Sequence, residues 1–339
     1  MRKFTLLTCS IVCLVVLISC VECFAEPTVK MEYALPTIEG AFMRPRISGD
    51  WVVALQQDEQ RKNTLGVLVI NLTNNQIYTA YVGKAMWPSI SGTLAIWPGA
   101  PDNVDSLKGM KGKDGKLTSL IMLDLSTWRY FAPPLSTRTT NYTTVCGTSI
   151  ALECGSRIYL MDAVSGIHKR ISKDESRYSA PEINGDYVVW RDTVSDSESQ
   201  VIGYQISTGR LFNVTEDADV INCGGITDGK HIAWWSNKNG VGVYDCVTRN
   251  TINIPKGFFP DVENGIVVYL KKANGQNHVF GTEIATGKEF QISKGNADQG
   301  PSIDKGRVIW CNGGVIYCAV LDLKANEKVP IKKDTPLTN

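Results

Sequence analysis

Four side chains of this sequence combine the chemistry and the spacing of a binding site: Arg44, Trp87, Tyr142 and Phe259. Each directly precedes the first residue of a motif that recurs along the chain, so the four occupy equivalent positions. A guanidinium can hold an anionic or hydroxyl group, and aromatic rings offer stacking area to a sugar, a peptide or a carboxylate. The alternative is that these rings are structural and pack between the repeated units.

Groups suited to catalysis or metal binding are sparse. The histidines fall at different phases of the repeat, and the sequence has no His-Glu-x-x-His, Gly-x-Ser-x-Gly or glycine-rich phosphate motif. The nearest approach to paired carboxylates is Asp217 and Asp219 in one loop with Asp298 in another, which loop solvation explains better than a weak Ca²⁺ site does. We therefore predict no catalytic residue, metal or cofactor, and favour a protein that is not an enzyme.

These residues take their positions from a motif that occurs seven times, most completely as Pro-Glu-Ile-Asn-Gly-Asp-Tyr-Val-Val-Trp in residues 181–190. An apolar or β-branched residue lies two places after the first residue, which we call the anchor. A glycine turn, an apolar pair and usually a bulky residue follow, so each copy opens with a two-stranded hairpin. The anchors are Pro45, Pro88, Thr143, Pro181, Gly225, Pro260 and Pro301. The bulky residues are Trp97, Leu152, Trp190, Trp234, Tyr269 and Trp310, with Ala54 in the first copy.

Each copy continues into a turn of the type Asp-Leu-x-Thr-Gly and a short fourth strand. Four short strands per copy, no helical periodicity and a spacing of 35 to 55 residues between anchors are typical of propeller blades. The sequence thus predicts an all-β fold, a seven-bladed β-propeller of four-stranded antiparallel blades, with six or eight blades as the alternative. Because blades bury their faces only against neighbours, residues 26–339 should form one domain.

The sequence does not decide which end of the chain supplies the strand that closes the ring. Residues 30–37 lie where a fourth strand would precede the first anchor, and residues 327–332 form a competing last strand. Pro36 and Pro330 would each suit an edge strand.

The residue before each anchor should face the central channel of the propeller. Arg44, Trp87 and Tyr142 fall on consecutive blades and would form one basic and aromatic sector there. The same face would carry a Gly- and Lys-rich insertion in blade two, residues 98–119, and an acidic loop in blade four, residues 192–198. The insertion is either a lid or partner contact, or a loop without a role.

Residues 1–25 have the organisation of an export signal. Arg2 and Lys3 precede an apolar run, and Ala25 ends a small-residue cleavage site. Residues 17–20, Leu-Ile-Ser-Cys, also match a lipobox, in which Cys20 would carry the lipid. The protein is therefore expected in the periplasm or outside the cell, with soluble export favoured and a lipid anchor at Cys20 as its one route to a membrane.

The net charge limits the kinds of partner, and two of the cysteines are candidates for a disulfide. Removal of the leader takes Arg2, Lys3 and Glu22 from 35 basic and 34 acidic residues, which leaves no net charge. A neutral chain without a basic stripe lacks the attraction that dominates nucleic-acid binding, and we expect a monomer with a protein or glycan partner. Cys311 and Cys318 flank a turn and are the best disulfide candidates, with free thiols as the alternative.

At the anchor and Asp-Leu-x-Thr-Gly positions, the repeats resemble those of TolB-type β-propellers from residue 45 to about 333. This resemblance implies an exported propeller, although the chain has no room for the N-terminal α/β domain of TolB itself. It favours a non-catalytic binding scaffold of the envelope or exterior that uses the channel face. The alternative is a hydrolase or lyase acting on an extracellular polysaccharide or peptide, with Arg44, Tyr142 and the loop of Asp217 and Asp219 as its catalytic candidates.

The leader generates the first prediction. The mature protein should begin at Glu26, or at a lipidated Cys20, because a cleavage site ending at Ala25 and a lipobox ending at Cys20 both follow the apolar run of the leader. Mass spectrometry of the N-terminal peptide distinguishes the two. A cytoplasmic full-length chain would contradict both forms.

Overall fold

The computed structural model describes residues 27–60, 62–100, 103–108, 120–133, 140–173, 177–215 and 222–323. The predicted leader with Cys20, the carboxylates Asp217 and Asp219, and the competing strand at residues 327–332 lie outside these ranges. So does most of the insertion of blade two. Within the described ranges, no helix has the length and apolarity to cross a membrane.

The chain forms seven four-stranded antiparallel sheets, which confirms the predicted seven-bladed propeller. The first strand, β1 (Thr28–Ala34), belongs to the last blade. Blade one contains β2 (Ala41–Ser48), β3 (Trp51–Gln57), β4 (Thr64–Asn71) and β5 (Gln76–Val82). Blade two contains β6 (Ser89–Ser91), β7 (Leu94–Pro98), β8 (Leu120–Asp124) and β9 (Arg129–Phe131). Blade three contains β10 (Thr140–Cys146), β11 (Ser149–Cys154), β12 (Arg157–Asp162) and β13 (His168–Arg170).

The remaining four blades follow the same plan. Blade four contains β14 (Arg177–Asn184), β15 (Tyr187–Thr193), β16 (Ser199–Gln205) and β17 (Arg210–Asn213). Blade five contains β18 (Asn222–Thr227), β19 (His231–Ser236), β20 (Gly240–Asp245) and β21 (Thr251–Ile254). Blade six contains β22 (Gly257–Glu263), β23 (Ile266–Ala273), β24 (Gln276–Glu283) and β25 (Glu289–Gln291). Blade seven contains β26 (Ser302–Asp304), β27 (Arg307–Asn312), β28 (Val315–Asp322) and β1.

The N-terminal strand closes the ring. β1 pairs antiparallel with β28, from Thr28 opposite Asp322 to Ala34 opposite Tyr317, and so supplies the outer strand of blade seven. Of the two arrangements that the sequence left open, the structure therefore has the one in which the N-terminus completes the last blade.

Each apolar pair of the motif serves two interfaces, because successive side chains of a strand point to opposite faces of the sheet. In β15, Val188 and Trp190 pack into a cluster with blade three, whereas Val189 packs with Ile232 and Trp234 of blade five. Each of the seven hydrophobic clusters in the described residues likewise combines side chains of two neighbouring blades. The predicted tryptophan column is buried: Trp97 and Trp190 are 0% exposed, Trp310 1% and Trp234 6%.

Hydrogen bonds link the inner strands at the end of the channel where their hairpin turns lie. The Gly92 backbone N–H donates to Ser48 Oγ at 2.9 Å, and the Gly147 N–H donates to Ser91 Oγ at 3.0 Å. Across the closure, the Gly49 N–H donates to Asp304. Each bond joins neighbouring blades, so the inner ring is held by polar contacts as well as by the apolar interfaces.

The candidate disulfide is not formed in this structure. Cys318, opposite Ile309, has a free thiol, and Cys311 lies opposite Ile316. The two cysteines share one face of blade seven, where they pack against the apolar side chains of blade one. Burial in this interface accounts for both cysteines without a disulfide, which corresponds to the alternative of free thiols.

Replacing Trp190 by alanine tests the interface. The fully buried indole should leave a cavity that lowers the free energy of unfolding by roughly 3–5 kcal/mol. Trp128→Ala is the matched control, because this indole is 39% exposed and should contribute only about 1 kcal/mol through its ring contacts. Urea unfolding measures both. Equal losses in the two variants would show that the buried column is not the core.

Candidate binding site at the mouth of the channel

A bulge precedes the anchor in most inner strands and aims one side chain at the channel. The pairing of β2 with β3 shifts register between Met43 and Arg46, and β14, β18 and β22 have equivalent shifts. The residue before the anchor then adopts a left-handed backbone conformation in five blades: φ is 52° at Arg44, 37° at Trp87, 51° at Ala180, 49° at Gly224 and 51° at Phe259. Bulges of this kind re-aim side chains.

This conformation carries a cost for large side chains. A non-glycine residue held in the left-handed region costs on the order of 1–3 kcal/mol, and blade five shows that glycine fits the position. A Cβ atom added to Gly224 would meet no atom within 4 Å. Arg44, Trp87 and Phe259 therefore occupy positions where a smaller residue would be tolerated, and strain of this kind concentrates at functional sites.

The predicted sector exists. The Arg44 guanidinium carbon lies 3.0 Å from the ring centroid of Trp87, and the rings of Trp87 and Tyr142 are 4.7 Å apart at 40°. Trp87 comes from the blade between the other two, so its indole lies between the guanidinium and the phenol. The Trp87 side chain is half-buried and is not enclosed between blades.

A second aromatic wall comes from blades five and six. Phe259 is 54% exposed, and its ring lies 6.3 Å from that of Trp235 at an angle of 47°. Blade seven separates Phe259 from Arg44 and contributes only Gly300 at the equivalent position. A Cβ atom on Gly300 would lie 2.8 Å from the Phe259 Cβ atom, so the glycine makes room for the phenylalanine.

Together these residues surround a cavity of about 710 Å³ at the mouth of the channel. This volume is within the range of about 300–1,000 Å³ that is typical of small-ligand sites. The residue before every anchor lines the cavity, as predicted: Arg44, Trp87, Tyr142, Ala180, Gly224, Phe259 and Gly300.

The floor of the cavity is an ion-pair network that the sequence analysis missed. Arg46 of blade one reaches across the channel to Glu182 of blade four, with 2.7 Å between Nη2 and Oε1, and its Nη1 lies 3.9 Å from Oδ2 of Asp261 in blade six. The Tyr142 hydroxyl donates to Glu182 at 3.2 Å. All three charged residues directly follow an anchor, and a charged residue at a position where other blades have serine, threonine or isoleucine is the signal that could have identified them.

Burial is the largest single influence on the pKa values of the charged residues in this floor. It raises the pKa of Glu182, and the charge of Asp261 raises it further against the opposing effect of Arg46. Burial raises the pKa of Asp261 as well, although Arg46 and the backbone N–H groups of Ile303 and Val262 oppose it. For Arg46, burial disfavours the charge, but the attraction of the carboxylates outweighs it and raises the pKa of the guanidinium.

The floor separates the mouth from a second cavity of about 360 Å³ at the other end of the channel, where the hairpin turns lie. Arg46 and Glu182 line both cavities. Asp228, Glu263 and Asp304 line the second cavity, three residues after their anchors. The two ends of the channel therefore differ: one is aromatic and apolar above a charged floor, and the other is acidic.

The remaining predicted groups are dispersed. His168, His231 and His278 lie in β13, β19 and β24, on different strands of different blades. Asp298 lines the mouth, where its Oδ2 accepts the Gly313 N–H at 3.0 Å. Among the described residues, no group of three or more His, Cys, Asp or Glu side chains is placed to hold a metal ion.

No protein-family model matches the sequence, and no curated protein does. Solved structures match at low identity. The propeller domain of the Trilobed protease from Pyrococcus furiosus has a TM-score of 0.57 and 14% identity, over 80% of this chain and 91% of that one. Oligogalacturonate lyase in complex with manganese has a TM-score of 0.55 and 10% identity, over 84% and 90%. TolB from Acinetobacter baumannii has a TM-score of 0.43 and 13% identity, over 81% and 78%.

Identities of this size show a shared fold and do not identify an activity. The matched domain of the Trilobed protease is a β-propeller, which agrees with the fold observed. The narrower resemblance to TolB-type repeats has no family match behind it, and the TM-score of TolB is too low to carry an argument, so it stays a prediction.

Replacing Arg46 by methionine tests the floor. The variant leaves the half-buried Glu182 and the buried Asp261 without their counter-charge and should lose about 3 kcal/mol of stability near neutral pH. Because the pKa values of Glu182 and Asp261 are already raised, the native state holds protons more tightly than the unfolded state does, and stability falls as pH rises through the folded values. The difference between variant and wild type should therefore shrink as pH is lowered from 8 to 5.

Urea unfolding at several pH values measures this difference. Lys30→Met is the control, because Lys30 pairs with Asp322 at 3.3 Å with 59% of its side chain exposed and should contribute little. A loss in Arg46→Met that does not vary with pH would show that the carboxylates are not the groups left unpaired.

Proposed function

We propose that the protein is a non-catalytic binding scaffold that uses the mouth of the channel for a protein or glycan partner. The observation that carries the proposal is the placement of Arg44, Trp87 and Phe259 at strained left-handed positions around one cavity. Strain is retained where the side chain has a use that a smaller residue lacks. Packing does not provide that use for Phe259, because more than half of its surface is exposed.

The surroundings of the cavity suit a partner larger than a free metabolite. The acidic loop of blade four joins the second and third strands of its blade, so it lies on the face of the mouth. Loops on this face are free to vary while the blades stay rigid, as is usual for binding loops on a scaffold. A macromolecular partner could contact these loops while one part of it enters the cavity.

We place this activity outside the cytoplasm, because residues 1–25 have the pattern of an export signal. A lipid at Cys20 would hold the propeller at a membrane surface, and cleavage after Ala25 would release it. Either form leaves the channel mouth accessible to a partner. The neutral charge of the mature chain argues against nucleic acid as that partner.

The alternative proposal is a hydrolase or lyase acting on an extracellular polysaccharide or peptide. The observation that favours it is the Glu182 carboxyl group, which has a raised pKa and accepts a hydrogen bond from Tyr142 at the floor of the cavity. Raised pKa values suit a general acid. The floor is also typical of a structural network, because Arg46 forms an ion pair with the Glu182 carboxylate. We therefore rank catalysis second.

The Trp87→Ala variant tests the binding proposal. Removal of the indole takes away the surface that supports Arg44 and Tyr142, so the affinity for a partner captured from the native cell envelope should fall by about 2 kcal/mol, or roughly 30-fold. Stability should fall less than in Trp190→Ala, because Trp87 is only half-buried. Quantitative pulldown and thermal unfolding measure the two effects.

Trp128→Ala is the matched control, since Trp128 lies in a turn between the third and fourth strands of its blade, on the opposite face of the propeller. This variant should retain full binding. If Trp87→Ala unfolds the protein without a separable binding defect, the aromatic sector is structural and the proposal fails. Turnover of a polysaccharide or peptide that Glu182→Gln abolishes would establish the enzymatic alternative instead.

A further inference from the structure

Arg44 lines the mouth and has no carboxylate partner among the described residues. Its backbone N–H donates to Gln299 Oε1 at 2.7 Å, and its guanidinium rests on Trp87, but among the described residues no acidic side chain forms an ion pair with it. Its neighbour Arg46 binds two carboxylates, and Arg307 binds Asp50 at 2.6 Å. The mouth therefore contains one cation whose charge no side chain in the described part of the chain neutralises.

The environment of Arg44 makes the binding of an external anion more favourable. Burial and the nearby charge of Arg46 lower the pKa of Arg44, yet an arginine stays charged at neutral pH. A half-buried charge has lost part of its hydration without gaining a counter-charge. The stacked guanidinium is also preorganised, with donors in a fixed plane that matches a carboxylate.

Trp87 has little surface left for a ligand, because the Arg44 guanidinium and the Tyr142 ring both lie against the indole. Its role is to hold Arg44 in place. The aromatic surface open to a ligand is that of Phe259, next to Trp235. Since the two rings meet at 47°, they form a notch that suits an apolar side chain better than the flat face of a sugar ring.

The depth of the cavity determines which part of a polymer can enter. The contact between Arg46 and Glu182 spans the channel from blade one to blade four and separates the mouth from the second cavity. A chain cannot pass through this floor without breaking the ion pair of Arg46 and Glu182. The mouth is therefore a pit of about 710 Å³ that is closed at its floor and open above, which suits the end of a chain better than its middle.

Several polar groups of the walls are already engaged within the protein, although among the described lining residues the Thr143 hydroxyl has no hydrogen-bond partner. The Ala180 N–H donates to Glu153 Oε2 at 3.3 Å, Arg191 Nε donates to Ser179 Oγ at 3.2 Å, and Thr144 Oγ1 donates to the Pro181 carbonyl at 3.0 Å. An oligosaccharide presents hydroxyl groups on every side and would leave many of them without partners here. An end group with one charge and an apolar side chain needs fewer hydrogen-bond partners.

We propose that the mouth binds the carboxyl terminus of a peptide or protein, with the terminal carboxylate on Arg44 and an apolar terminal side chain in the notch of Phe259 and Trp235. Arg44 and Phe259 flank blade seven, where Gly300 makes room for Phe259 and the Gln299 side chain accepts a hydrogen bond from the Arg44 N–H. This inference rests on the proposed binding function and specifies its ligand.

The experiment uses fluorescein-labelled hexapeptide pools with randomised internal positions that end in Leu or Phe, each made with a free carboxylate and with a C-terminal amide. Fluorescence polarisation with the purified protein should show that the free acids bind about 10- to 100-fold more tightly than the amides, because a charge-assisted bond to Arg44 is lost on amidation. In Arg44→Gln this ratio should fall to near one. In Phe259→Ala both forms should weaken while the ratio is retained.

Arg210→Gln is the matched control, because the Arg210 guanidinium lies 5.7 Å over the Phe212 ring in the outer strand of blade four, remote from the mouth. It should leave the ratio unchanged. Equal binding of acids and amides by the wild-type protein would overturn the proposal, as would a ratio that persists in Arg44→Gln. The wild-type comparison decides the matter even if Arg44→Gln fails to fold.

Failure of this inference is separable from failure of the proposed function. If a galacturonate hexamer binds and the peptides do not, and Trp87→Ala abolishes that binding, the mouth is a glycan site and only the peptide assignment falls. If the envelope partner binds with unchanged affinity to Trp87→Ala and to Phe259→Ala, the mouth is not a binding site and both proposals fall.

Discussion

The structure depends on one constraint: every blade is apolar on both faces, so only a closed ring can bury all of its surface. Val188 and Trp190 face one neighbour and Val189 faces the other, and this alternation holds around the ring. An open array would leave two such faces in water, at a cost that rises with apolar area. The pairing of β1 with β28 completes the last blade and thereby closes the ring. The two strands come from opposite ends of the described sequence.

Closure brings seven inner strands to one axis, and this creates the site. Side chains that alternate with the apolar column must point into the channel, where they have neither full hydration nor an apolar neighbour to pack against. Arg46, Glu182 and Asp261 meet this demand by pairing with one another across the axis. The same network forms the floor of the mouth, so the charge balance of the channel and the shape of the cavity have one origin.

The bulge before the anchor sets the chemistry of the mouth. In five blades the residue before the anchor has a left-handed backbone conformation that favours glycine, so the fold does not require any particular side chain at that position. Blades four, five and seven have Ala180, Gly224 and Gly300 there, whereas blades one, two and six have Arg44, Trp87 and Phe259. The cavity is consequently uneven, with a stacked cation on one wall and an exposed aromatic pair on another.

The sequence by itself determined the repeated unit, the number of blades and the position that faces the mouth, because strand periodicity and turn residues act over a few neighbouring residues. It placed Arg44, Trp87, Tyr142 and Phe259 correctly at the cavity. Only the tertiary structure decided that β1 closes the ring, that Trp87 lies between Arg44 and Tyr142, and that Arg46 reaches Glu182 across 136 residues of sequence. These contacts join segments that are distant in the sequence, and they form only once all seven blades have come together around the axis.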